Sequence, residues 1–177
     1  MWNKIATALG ALFLLLPWAA FPQTFVPAFA SMEYTSNGDG TTSPGVYPVP
    51  PFGFAPISGA GNFNRTLAGP NTSIDVANGR ITVSLAGTYL ITFHGQVTDY
   101  YYTANQVRIQ LTKSGVAVGD AYAALENGDR GSCGTFSGSM AISASAGDFF
   151  FLSIASDLGF EDALGFSNLS FSVLRVG

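Results

Sequence analysis

Few residues of this sequence could carry chemistry, and their spacing argues against catalysis. His94 is the one histidine in the chain. A nucleophilic triad would need it beside a serine or cysteine and a carboxylate. It falls instead between Phe93 and Gly95 in an alternating apolar run, where a hydrogen-bonded structural imidazole is expected. Cys133 is the one cysteine, so no intrachain disulfide can form and thiols cannot build a metal cluster; a small buried or loop residue is expected there. No phosphate loop, dinucleotide fingerprint or His-rich metal motif occurs. Glycosidases work with a pair of carboxylates, and nothing in the spacing singles out such a pair.

The acidic loops allow one ion. Asp157, Glu161 and Asp162 share a loop, and Asp120, Glu126 and Asp129 lie near another. Hard oxygen ligands of this kind suit calcium, but the spaced Asp-x-Asp-x-Asp-Gly pattern is missing, and a solvated acidic loop explains the same residues. Tyr100, Tyr101 and Tyr102 form a loop whose rings give broad contact with a polar tip. That loop fits recognition of a glycan or protein partner, or subunit packing. Asn64-Arg65-Thr66, Asn71-Thr72-Ser73 and Asn168-Leu169-Ser170 are glycosylation sequons in a eukaryotic secreted protein.

The elements that must position these residues are strands. Residues 79–97 read as two strands joined at an Ala-Gly corner. Ile81, Val83 and Leu85 alternate with Arg80, Thr82 and Ser84, and Tyr89, Ile91, Phe93 and Val97 then oppose Leu90, Thr92, His94 and Gln96. That period of two belongs to sheet, and the β-branched and aromatic content agrees. The same alternation returns over 107–112, 116–123, 135–145, 149–155 and 166–176, with turns at Lys113-Ser114-Gly115 and Ala146-Gly147-Asp148. No helical period follows residue 30, which indicates a sandwich or jelly roll.

Three regions are expected. Residues 1–30 form an apolar N-terminal segment, with an almost wholly apolar run over 5–21. Its Ala28-Phe29-Ala30 resembles a secretory cleavage pattern, while a 17-residue run is at the lower edge of a membrane span. A cleaved signal and a retained anchor or assembly arm are both open. Residues 31–50 read as a Gly/Ser/Pro-rich linker, and 51–177 as the β domain. Of the 177 residues, 47% are hydrophobic and only 10% charged, against roughly 25% charged in ordinary domains; such a surface suits packed assemblies or extracellular β-proteins. With a net charge of −4 and scattered lysines and arginines, no basic patch exists to neutralise phosphate, which excludes a nucleic-acid partner.

Four pieces together resemble the globular head shared by complement subcomponent q and the tumour necrosis factor family. They are VSLAGTYLITF over 83–93, Leu111-Thr112-Lys113-Ser114-Gly115, Ser137-Gly138-Ser139 followed by Gly147-Asp148-Phe149-Phe150-Phe151-Leu152, and the apolar run over 169–174. Ser114 stands where the family has Asn, Phe150 where it has Val, and no collagen stalk is present. The resemblance implies an all-β jelly-roll sandwich of roughly ten antiparallel strands, assembling as a homotrimer. Three consecutive phenylalanines cannot all face one core, and the strand through Tyr89 and Phe93 is apolar on both faces. Tyr89, Phe93, Phe149 and Phe151 are therefore expected at a threefold interface, or under the N-terminal arm. The resulting expectation is a non-enzymatic homotrimer on a virion, as a decoration, cement or spike component, contacting the capsid shell or a membrane through residues 1–30. The alternative is a secreted or membrane-anchored trimeric module that recognises a protein or glycan.

Overall fold

The computed structural model describes residues 25–35, 47–50, 53–59, 61–99, 106–125, 133–157 and 162–177. Alternating sequence produces strand wherever it was expected and in some places where it was not. The strands are β1 (Phe29–Thr35), β2 (Tyr47–Val49), β3 (Ala55–Pro56), β4 (Arg65–Ala68), β5 (Thr72–Asp75), β6 (Arg80–Val83), β7 (Gly87–Asp99), β8 (Gln106–Lys113), β9 (Val116–Ala124), β10 (Cys133–Ala144), β11 (Phe149–Ser156) and β12 (Asp162–Arg175). They form two six-stranded sheets. The first runs β10-β7-β12-β1-β4 with β2 beside β12, and the second β5-β6-β11-β8-β9 with β3 beside β11. Every pairing is antiparallel. The twelve strands among the described residues exceed the ten expected because β2 and β3, only three and two residues long, add short pairings to the interior strands β12 and β11.

The core lies between the sheets. The first sheet sends in Met32 and Tyr34 from β1, Tyr89, Ile91 and Phe93 from β7, and Phe166, Leu169, Phe171 and Val173 from β12. The second sends Ile81 and Val83, Ile109 and Leu111, and Phe150, Leu152 and Ile154. The Tyr89 and Phe150 rings meet across the sandwich at 6.5 Å between centroids. Tyr89 and Phe93 are 0% and 1% exposed, so the expectation that they serve a subunit interface is corrected: the odd face of β7 is the core face. A bulge between Phe166 and Asn168 leaves Ser167 unpaired, which turns both Phe166 and Leu169 inward although three positions separate them.

Two glycines make room for rings. Gly138 pairs with Phe93, and Gly95 with Phe136. A Cβ on Gly138 would fall 2.3 Å from the Phe93 ring, and one on Gly95 2.8 Å from that of Phe136. Each aromatic ring lies over the glycine of the facing strand, a close approach that strand glycines permit.

The expected boundary between arm and domain is also corrected. Phe29–Thr35 is a strand held on both sides, by β12 and by β4, and Tyr47–Val49 pairs with β12. Residues assigned to the arm's end and to the linker thus belong to the sandwich. The chain before β1 is fastened as well. Arg175 donates from its backbone N to the Ala28 carbonyl at 2.8 Å and from Nη1 to the Val26 carbonyl at 3.0 Å. Asn71 Nδ2 donates to the Pro27 carbonyl at 3.1 Å. A cut after Ala30 would split β1. Residues 1–24 lie outside the described residues.

Candidate interaction surfaces

The turn motifs singled out in the sequence meet in space. Asp148 accepts from Ser114 Oγ at 2.8 Å and from the Ser145 backbone N at 2.9 Å. Ser114 N donates to the Phe149 carbonyl at 2.8 Å, and Lys113 Nζ lies 3.6 Å from Asp148. The hydrogen bond from Ser145 N, followed by that from Ser114, holds the Asp148 carboxyl below the usual carboxylate range. Ser114 sits at φ +47°, a left-handed conformation that Asn adopts more readily than most residues. These residues join the β8–β9 hairpin to the β10–β11 turn, and their work is structural.

Register fixes what the first sheet shows on its outer face. One row across β10, β7, β12, β1 and β4 is Ser139, Thr92, Ser172, Ser31 and Leu67; the next toward the chain ends is Ala141, Leu90, Leu174 and Phe29. On the other side run Ser137, His94, Ser170, Glu33 and Arg65. Thr92 and Ser172 hydroxyls share a 2.6 Å hydrogen bond. The face is flat, because its central side chains are short, and nearly uncharged. His94 is exposed on it rather than held as a hydrogen-bonded structural imidazole, and Glu33, on β1, is the one carboxylate in its row.

The second sheet's outer face differs in kind. Phe149 and Phe151 stack there, 6.2 Å between centroids and 20° apart in plane, both half-buried. The Arg80 guanidinium covers them at 4.7 and 5.9 Å. Of the four residues expected at a subunit interface, these two face solvent, on the sheet opposite the flat face. Further along, Arg108 Nη2 donates to Asp120 at 2.6 Å, and Gln110 Nε2 reaches the same carboxylate at 3.3 Å. The hydrogen bond to Asp120 raises the Arg108 pKa. The guanidinium lies 5.1 Å from the Phe54 ring centroid and 5.9 Å from that of Tyr122. A cleft of about 310 Å³ opens beside it, lined by Phe54, Gln106, Arg108, Tyr122, Ala155, Ser156 and Asp157. This cluster went unnoticed in the sequence.

The other expected sites fare variously. Tyr100, Tyr101, Tyr102, Glu126, Asp129 and Glu161 lie outside the described residues, as does the side chain of Asp162. Asp157 is exposed at the end of β11, while Asp120 is engaged by Arg108. No group of three or more His, Cys, Asp or Glu that could hold a metal forms among the described residues. Cys133 is half-buried, 3.3 Å from Thr98 Oγ1. Two sequon asparagines already have structural partners: Asn64 exchanges hydrogen bonds with the Thr35 backbone at 3.2 and 2.9 Å, and Asn71 holds Pro27.

Among solved structures, the globular domain of zebrafish complement 1qA protein aligns with a TM-score of 0.56 and 16% identity, over 86% of this chain and 98% of that one. Eiger TNF from S. frugiperda aligns with a TM-score of 0.53 and 10% identity, over 86% and 94%. The chain has the C1q/TNF-like jelly-roll fold. At these identities it is the fold that is shared. No protein-family model and no curated protein matches the sequence.

Proposed function

We propose that this C1q/TNF-like domain is a non-enzymatic homotrimeric interaction module displayed on an exterior surface. The observation that carries the reading is the flat outer face of the first sheet. A threefold contact is heterologous, so it needs a face that a different patch of the next subunit can cover closely. Short, nearly uncharged side chains over β10, β7, β12 and β1 supply one. Four strands about 4.8 Å apart and seven to fourteen residues long present about 750 Å², close to the roughly 800 Å² per partner of a stable interface. Both similar structures named above belong to a fold that the sequence resemblance links to trimers.

The two ends of the β domain suggest how the module is held. Thr88 N donates to the Gly177 carbonyl at 2.8 Å, and Arg175 ties down Val26 and Ala28, so residues 26–28 lie beside the C-terminal strand. Phe25, Val26, Leu174 and Val176 are exposed there. The apolar run over 5–21 joins the domain at this end, which suits a tether to a membrane or a protein shell. No helix among the described residues is long and apolar enough to cross a membrane. Nothing in the fold or in the similar structures is particular to a virion, and a membrane or a protein shell would serve equally as the exterior surface.

Thr92→Arg tests the assembly, since it sets a charge in the middle of the flat face without touching the core. Equilibrium sedimentation at micromolar concentration should show monomer for Thr92→Arg and trimer for Arg80→Ala, on the opposite sheet. A trimer unaffected by Thr92→Arg would move the interface elsewhere.

A further inference from the structure

We infer that the cleft at the end of the second sheet binds a single neutral hexopyranose residue of a glycan. Its geometry follows from strand register. Arg108 pairs with Tyr122 on β9 and with Ala155 on β11. Asp157 N donates to the Gln106 carbonyl at 3.2 Å, which brings the Gln106 and Asp157 side chains to one rim. The floor is Ala155 and Ser156, both buried, and the walls are Phe54 and Tyr122.

Three features select the ligand. Tyr122 is 52% exposed, a large, stiff ring on an outer strand that offers an apolar face and a polar tip. Pyranose rings present C–H groups on one face and hydroxyls around the edge, which matches an aromatic wall beside an amide and a carboxylate. The guanidinium is held by Asp120 at 2.6 Å and lies near the Phe54 and Tyr122 rings, so it needs little further ordering when a ligand binds. Charge decides the sugar class. Arg108 is balanced by Asp120, and the described lining holds no other cation, so nothing there favours carboxylated or sulfated sugars. At about 310 Å³ the cleft is at the small end of ligand sites, which run from roughly 300 to 1,000 Å³. One sugar fills it.

Affinity for one residue is weak, with Kd on the order of 1 mM for a ligand this small. Three copies on a trimer would strengthen binding to a multivalent glycan by roughly 100-fold or more. The inference deepens the proposed function, but it is separable from the trimer because the cleft is built within one chain.

The test is a titration of the full chain with methyl glycosides of glucose, galactose, mannose and N-acetylglucosamine, and with glucuronate and N-acetylneuraminate, followed by calorimetry and amide chemical shifts. At least one neutral glycoside is expected to bind and to shift the amides of Gln106, Tyr122 and Asp157, with the two acids inert. Tyr122→Ala and Asp157→Asn, both exposed positions, should each weaken binding by about tenfold or more. Phe149→Ala, in the other aromatic cluster, should leave it unchanged. No neutral glycoside binding by roughly 50 mM, well above the expected Kd, would overturn the inference. So would preference for an acidic sugar, or binding indifferent to Tyr122→Ala. Binding retained by a monomeric Thr92→Arg chain would support the cleft while separating it from the assembly question.

Discussion

Asp148 gives the sharpest quantitative test of how the fold is held together. Its carboxylate accepts from Ser114 Oγ at 2.8 Å and Ser145 N at 2.9 Å, with Lys113 Nζ at 3.6 Å. Hydrogen bonds to a charged acceptor contribute roughly 1.5–3 kcal/mol each. The Asp148 side chain is 21% exposed, so the lower figure applies, and the partly exposed Lys113 pair adds under about 1 kcal/mol. Asp148→Ala should therefore cost about 3 kcal/mol at pH 7. The sign of the pH effect follows from the lowered pKa. The stabilisation is fully present above the unfolded value of 3.8 and is lost as pH falls through the folded value. Urea unfolding of both proteins at one fixed chain concentration, at pH 7 and again at successively lower pH below 3.8, should show the gap narrowing as the carboxylate is protonated. A gap of the same size at every pH, or one under about 0.5 kcal/mol at pH 7, would refute the role of the carboxylate as the joint between the two turns.

Two further outcomes follow from packing. Gly138→Ala places a Cβ 2.3 Å from the Phe93 ring and should cost about 1–3 kcal/mol by overpacking, read as a lower urea midpoint. A chain beginning at Ser31 loses Phe29 and Ala30 from β1, together with the Arg175 and Asn71 hydrogen bonds to residues 26–27 and Ala28. It should melt about 10 °C below a chain beginning at Phe25, at roughly 2–4 °C per kcal/mol for a domain of this size; equal melting temperatures would show that the N-terminal fastening contributes nothing.

Alternation and turn chemistry made the sandwich legible, since residues 79–97 carry both the corner and the strand that the first sheet is built around. The face that β7 buries was misjudged, because an apolar residue at every second position does not say which sheet lies opposite. Leu90, on the other side of the same strand, is just as apolar as Ile91. The strand over 29–35 was hidden by its neighbours: Phe25, Val26 and Pro27 resume the apolar stretch after only Gln23 and Thr24, so composition does not mark where the arm stops. The cleft was invisible for a different reason. Counting back from the Ser114-Gly115 turn pairs Arg108 with Ala121, but a bulge between Leu111 and Thr112 leaves Val118 unmatched and slides Tyr122 beside Arg108 and Asp120 beside Gln110. One extra residue in a ladder flips every later side chain to the other face, and no local residue type announces it.

The central claim, a C1q/TNF-like domain that works as a trimer, is tested most directly by the mass of the full chain in solution. Sedimentation equilibrium at micromolar concentration should give three times the 18.5 kDa of a single chain. A stable species of 18.5 kDa at that concentration would contradict it.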